Sequence, residues 1–320
     1  MSAMDKYALH MRSGRVMAAV GLGTLAPKES EEDVIAAVKS AVRAGYRHID
    51  CAAIYRNERA VGHAIKQLIV EGIVRREDLF ITSKLWNTCH RADLVRPSLR
   101  KSLEDLGLKY LDLYLMHWPV AYREGGDFHP WDGDTGKVLY SDVDYLETWK
   151  ALEDCVDEGL THDIGMSNFN SKQLQRILSE ARIKPSMNQI EVNCRNTNRK
   201  LIEFCQSQGV PVVGFAPLGT PNNSPSDKKV SLLDEPVVKE IASTKNRSPA
   251  QVCLRFVLQL GIGVVPKSVN AARIAQNIQI FDFDLSDEEM QKLSALNINY
   301  RTYAEDIALE HKYYPFHEEF

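Results

Sequence analysis

The stretch Tyr46-Arg-His-Ile-Asp-Cys-Ala-Ala-Ile-Tyr55 decides how the rest of the chain is read. Gly45 would end the helix before it, and Tyr46 to Ile49 then reads as a short buried strand. Asp50 stands at the C-terminal end of that strand, and Tyr55 follows five residues later, on a loop. Two later strands close in the same manner: Leu79-Phe-Ile-Thr-Ser-Lys84 on an amine and Leu111-Asp-Leu-Tyr-Leu-Met-His117 on an imidazole. An acid, a phenol, an amine and an imidazole thus all come off C-terminal strand ends. In a barrel of parallel strands those ends share one face, where active sites sit.

Working outward, strand and helix patterns alternate. The pattern predicts a hairpin over residues 1–18, turning at Ser13-Gly14. It predicts strands at 19–24, 46–50, 79–84, 111–117, 162–167, 186–192, 212–216 and 263–267. Helices are expected at 30–45, 58–71, 93–106, 144–158, 171–181, 198–208, 236–245, 249–260 and 271–279. Ser30 and Ser248 are placed as helix caps, with Pro249 as a first helical residue, and Gly107 and Gly159 as stops. Eight strand-then-helix units predict an α/β fold, a closed (β/α)8 TIM barrel. A doubly wound sheet would normally announce itself by a Gly-x-Gly-x-x-Gly turn, and none occurs. A barrel needs about 250 residues, so the chain of 320 reads as one domain over 1–320 with long additions. Those additions are the loops 119–143 and 217–234, after strands four and seven, and a C-terminal tail over 296–320. Loops this long in a compact domain are usually functional.

Composition excludes several classes of function. A net charge of −4 without a basic stripe argues against nucleic acid as a partner. No run approaches the length of a membrane span. Residues 16–25 read as a buried strand rather than a signal segment, since Asp5 and two glycines spoil the usual layout. Six scattered cysteines with no Cys-x-x-Cys suit reduced thiols in a cytoplasmic protein; a monomer is expected.

Singly, the four polar residues have ordinary readings: Asp50 as a turn cap, Lys84 as an edge lysine, His117 as a core histidine, Tyr55 as a surface aromatic. Together they make a proton-transfer device. An ammonium near a phenol should lower the phenol's pKa, an aspartate can fix the ammonium, and an imidazole can steer a carbonyl oxygen. Hydride would have to come from a cofactor. Ser167, Asn168, Gln189, Phe215, Lys267 and Ser268 stand at later strand ends, able to hold one. A helix starting near Asn270, with Arg273 one turn in, would offer an anion site, and the window 265–277 contains no acid.

At this point the sequence closely resembles the aldo-keto reductase family. The matching pieces are Gly21-Leu-Gly-Thr24, Asp50 with Tyr55, Lys84, His117-Trp-Pro119, Gly165-Met-Ser-Asn-Phe169, Asn188-Gln189, Ala216-Pro-Leu-Gly219 and Val265-Pro-Lys-Ser268, continuing to Asn277. The resemblance implies reduction of aldehydes and ketones with NADPH and no metal. It implies Tyr55 as the acid, tuned by Lys84 and Asp50, with His117 orienting the substrate. It gives Ser167, Asn168 and Gln189 the nicotinamide carboxamide. Lys267, Ser268 and Arg273 are given the 2′-phosphate, and Gln276 and Asn277 the adenine. Gly23, Thr24, Asp50, Leu218, Val269 and Asn270 are expected to complete the cofactor wall. Leu25, Trp86, Trp118 and His129 are expected beside Tyr55 and His117 around the substrate. Two departures stand out. The stacking ring is Phe215 where the family usually has tyrosine. Leu25 stands where small-aldehyde reducers often carry tryptophan, and 220–225 lacks one too, which predicts a wide pocket for a bulky or steroid-like ketone unless the tail narrows it. A regulatory binding protein and a phosphate-binding lyase or isomerase barrel remain the alternatives.

Overall fold

A computed structural model describes residues 5–220, 231–318 and 320. Strands β1 (Leu9–His10) and β2 (Val16–Met17) form the N-terminal hairpin. There follow β3 (Gly21–Gly23), α1 (Glu31–Arg43), β4 (His48–Asp50), α2 (Glu58–Val70), β5 (Phe80–Leu85), α3 (Ala92–Leu106), β6 (Leu111–Met116), α4 (Tyr145–Asp157), β7 (Thr161–Ser167), α5 (Ser171–Glu180) and β8 (Asn188–Glu191). Then come α6 (Arg199–Ser207), β9 (Val212–Phe215), α7 (Pro236–Lys245), α8 (Pro249–Gln259), β10 (Gly263–Val264), α9 (Ala271–Asn277) and α10 (Asp287–Ser294). Strands β3 to β10 pair in chain order, all parallel. Parallel bridges Val20↔Val264 and Gly23↔Lys267 join the last strand to the first. The result is the expected barrel.

Local chemistry explains the elements. Ser30 caps α1 in a reciprocal box with Asp33, and Ser248 caps α8 with Gln251. Gly107 ends α3 at φ 65°, a left-handed position that costs glycine nothing. Strand β6 is buried along its whole length, as a parallel strand covered on both faces must be. Gly165 on β7 leaves room inside the barrel: a Cβ there would lie 2.7 Å from Leu115 Cδ2 and 2.8 Å from the Met187 carbonyl.

The hairpin closes the N-terminal end. Leu9, Met11 and Met17 pack with Phe80, Leu113, Leu115, Met187, Val213 and Val265 in one cluster. Around this floor Ser13 donates to Asp163 (2.7 Å), while Arg15 and Arg76 reach buried Asp112 at 3.3 and 2.7 Å.

Some elements depart from expectation. The opening stretch forms its strand two residues later, at β4. Tyr46 instead lies buried with its hydroxyl donating to the Ile274 carbonyl (3.1 Å), because the turn at Gly45 (φ 107°) brings it against α9. Strand β10 spans only two residues. Helix α10, capped by Ser286 with Glu289, was not expected at all. Most of the second long loop, 221–230, falls outside the described residues. The first long loop folds on itself through bridges Tyr122↔Tyr140 and Trp131↔Val138. It packs with the tail in a cluster that includes Trp86, Trp118, Tyr122, Ala308 and Tyr314.

Candidate active site

Strand ends place the four polar side chains together. Asp50 is the last residue of β4, Lys84 lies next to the end of β5, and His117 directly follows β6. The His117 backbone N–H donates to the Leu85 carbonyl (3.1 Å), which carries the β5–β6 ladder one step further. Tyr55 ends a 3-10 turn, Ala53–Tyr55. Lys84 is fully buried, and its ammonium donates to Asp50 Oδ2 (2.7 Å), to the Cys51 carbonyl (2.9 Å) and, more weakly, to the Tyr55 hydroxyl (3.4 Å). Gln189 Nε2 holds the other Asp50 oxygen at 2.8 Å. The His117 ring stands edge-on to Tyr55 (5.9 Å between centroids) and to Trp86 (5.4 Å).

Electrostatics follow from burial. Burial works against the Lys84 ammonium, yet the Asp50 carboxylate beside it prevails and its pKa rises. Burial holds His117 well below the usual imidazole range, with Lys84 adding to the effect, so the ring is neutral. For Tyr55 the expected lowering is overturned. Lys84 does pull the phenol's pKa down, but burial outweighs it and Asp50 offsets part of the lysine charge, so the pKa is pushed up to about 12.

All the expected site residues except Lys84 and Asn270 line a single cleft of about 950 Å³; Lys84 is fully buried and meets the cleft only through Asp50 and Tyr55. Asn270 instead caps α9, accepting from the Arg273 N–H at 3.0 Å. That bond takes up the Arg273 N–H, one of the first amides of the seven-residue α9. What remains there are the side chains of Lys267, Ser268 and Arg273. Ser167 donates to the Gln189 carbonyl (2.9 Å), and Asn168, at φ 63°, donates to the His117 carbonyl (3.0 Å). These donors lock the site residues to one another. Trp86 donates its N–H to the Phe128 carbonyl (2.6 Å), leaving its ring for the cleft.

Sequence reasoning missed several lining residues. Glu29, before α1, pairs with Lys267, an acid supplied from 238 positions away where the local window held none. Ile54 and the tail residues Thr302 to Asp306 also line the cleft. Tyr303 sets its ring against Phe215 (5.8 Å). The tail is anchored by buried Glu191, whose carboxylate accepts the Thr302 and Tyr303 N–H groups at 3.0 and 2.9 Å. Nothing in the local sequence marks Glu29 or Glu305 as site residues.

The cleft suits a dinucleotide. His117 Nδ1 is buried and without a hydrogen-bond partner. At Gly23 a Cβ would lie 2.9 Å from the Val265 carbonyl, so only glycine leaves that rim open. Basic side chains stand at one end and a proton relay at the other. Among the described residues, no group of three or more His, Cys, Asp or Glu is placed to hold a metal ion.

Comparison with known proteins identifies the family. The family model "Aldo/keto reductase family" matches residues 19–298. Aldo-keto reductase family 1 member A1 of Mus musculus is 45% identical over 315 residues, covering 98% of this chain and 96% of that protein. The Homo sapiens protein of the same name is 46% identical over 307 residues, covering 95% and 94%. The solved structure of aldose reductase from Schistosoma japonicum superposes with a TM-score of 0.92 at 45% identity, covering 98% of this chain and 99% of that one. The chain belongs to the aldo/keto reductase family of oxidoreductases.

Proposed function

We propose that this protein reduces aldehydes and ketones to alcohols with NADPH, Tyr55 supplying the proton. The observation that carries the reading is the buried Asp50–Lys84–Tyr55 chain at the cleft, with neutral His117 beside it. A bound nicotinamide supplies the hydride. Lys84, kept charged by Asp50, stands beside the phenol oxygen, so the phenolate left by proton transfer forms next to a cation. With a pKa of about 12, Tyr55 stays protonated at neutral pH and still gives its proton to an alkoxide, a stronger base than phenolate. The neutral His117 ring can donate to a carbonyl oxygen and hold it toward Tyr55 without repelling Lys84.

Phe215 offers a ring face to the nicotinamide, with Ser167, Asn168 and Gln189 near its carboxamide. Lys267 and Arg273 receive the 2′-phosphate, Lys267 exchanging Glu29 for it. Leu25, with no aromatic bulk at its rim, supports a bulky or flat ketone as the finer substrate class. Six unpaired cysteines, five of them buried, support a reducing cytosol, and we take the protein to act there as a monomer. No helix among the described residues is long and apolar enough to cross a membrane.

The test is NADPH oxidation with a reactive aromatic aldehyde. Turnover with stoichiometric alcohol supports the reading. Cofactor binding without turnover would favour a regulatory barrel instead, and neither binding nor turnover would remove the nicotinamide altogether.

A further inference from the structure

The substrate end of the cleft holds a carboxylate that pairs with no lysine or arginine among the described residues. Glu305 lines the cleft with its side chain 17% exposed. Its backbone sits at φ 53°, a conformation that costs a non-glycine residue energy and so must be held by its surroundings. Those surroundings are the Tyr122 hydroxyl, donating to Glu305 Oε1 at 2.6 Å, and His129 Nε2, 3.9 Å from the same oxygen. Among the described residues no lysine or arginine pairs with it. Burial, with the charge of Arg56 adding, keeps His129 below its ordinary pKa, so its imidazole does not neutralise the acid. Arg56 itself lies over the Phe128 ring, 4.9 Å from its centroid. Asp306, the next residue, also lines the cleft.

Position gives this charge a target. The Trp86 ring neighbours His117 (5.4 Å between centroids) and also His129 (5.4 Å) and Tyr122 (6.2 Å), the two residues that reach Glu305. A carbonyl group held at Tyr55 and His117 would lay its body along Trp86 and bring its far end toward Glu305. We propose that Glu305 is a charge-selecting residue, favouring carbonyl substrates that carry an ammonium group at the far end and disfavouring those that carry a carboxylate. The proposal rests on the reductase reading above. Its physical basis is that a half-buried carboxylate with no lysine or arginine partner among the described residues gains from a cation and repels an anion more strongly than an exposed one would. The competing view is that Glu305 only ties the tail to the first long loop through Tyr122.

The experiment uses the full chain with saturating NADPH and three para-substituted benzaldehydes. The substituents are trimethylammonium, carboxylate and tert-butyl, the last a neutral isostere of the first. kcat/KM is measured for each in wild type, Glu305→Gln, Glu305→Asp and Tyr122→Phe. Comparing one substrate across variants cancels the substituents' effects on carbonyl reactivity. The ammonium-to-carboxylate ratio should fall about tenfold or more in Glu305→Gln, stay high in Glu305→Asp, and stay high in Tyr122→Phe, which keeps the charge and loses the tie. A ratio within twofold of wild type in Glu305→Gln overturns the proposal. So does an equal loss for all three substrates, which marks a structural tie. Should Glu305→Gln fail to fold, the wild-type ratio decides: it should fall as salt rises toward about 0.5 M, and a ratio indifferent to salt overturns the proposal. Failure of wild type to reduce even the tert-butyl compound would instead overturn the reductase reading.

Discussion

The two ends of the barrel bury the same kinds of residue to different purpose. At the closed end, Asp112 sits under Arg76 and Arg15 and accepts the Ile81 N–H. At the open end, Asp50 sits under Lys84 and Gln189. His48 and Asp50 lie two residues apart on β4, and His48 contacts the floor residue Phe80 (5.7 Å between ring centroids). His117 stands at the cleft. Both imidazoles are neutral through burial, and both have an Nδ1 without a partner. A perturbed pKa alone therefore does not mark a site here. What differs is access: the hairpin covers one end, and the cleft opens the other.

The comparison can be broken by removing matched charges. Lys84→Met strands a fully buried aspartate, and should cost about 3–5 kcal/mol of stability as well as turnover. Asp112→Asn frees arginines that reach solvent and loses hydrogen bonds, and should cost about 1–3 kcal/mol while leaving turnover intact. Denaturant titration beside a rate assay checks both. Equal losses of activity would mean that the two ends are not functionally distinct.

The next effect in size sharpens the open end itself. Arg273→Ala should weaken NADPH binding by about ten- to a hundred-fold, or roughly 1.5–3 kcal/mol, and leave NADH binding nearly unchanged. Fluorescence titration of both cofactors measures it. An equal loss for both would give Arg273 to the pyrophosphate or the fold.

Next comes the pH dependence of two buried histidines, His48 near the floor and His90 on the loop after β5. Burial lowers His48 to about 4 and His90 to about 3, below the ordinary value near 6.5. The unfolded chain therefore binds protons first as pH falls. Stability supplied by these groups is present above about pH 6.5 and drains between there and pH 4, at about 1.4 kcal/mol per pH unit for each. His48→Leu should flatten the stability curve by one such slope and leave turnover at neutral pH within a few-fold. An unchanged slope would mean that His48 titrates alike in both states.

The smallest expected effect concerns Glu29. Glu29→Gln releases Lys267 and should tighten NADPH binding by a few-fold, the scale of a surface ion pair. Weaker binding would show that the pair positions Lys267 rather than competes for it.

Much of this was legible in the sequence because it is local. Ser30, Ser248 and Gly107 mark helix ends within four residues, and Asp50, Lys84 and His117 mark strand ends by hydrophobic run length. What was not legible depends on distant contacts or on burial. Glu29 meets Lys267 only when the barrel closes β3 onto β10. Glu305 reaches the cleft only because Glu191 and Tyr122 hold the tail there. The pKa of Tyr55 was misjudged because the cost of burial, set by the whole fold, exceeds the pull of the lysine that could be read locally. Helix α10 has a clear capping box in Ser286 and Glu289 but buries only Leu293, too weak an apolar stripe to signal a helix.

The central claim is that Tyr55 is the proton donor of the open end. Its most direct test is to measure turnover and the NADPH dissociation constant together in wild type and Tyr55→Phe. The account predicts a fall in turnover of about 10²-fold or more with cofactor binding unchanged; turnover within a few-fold of wild type would contradict it.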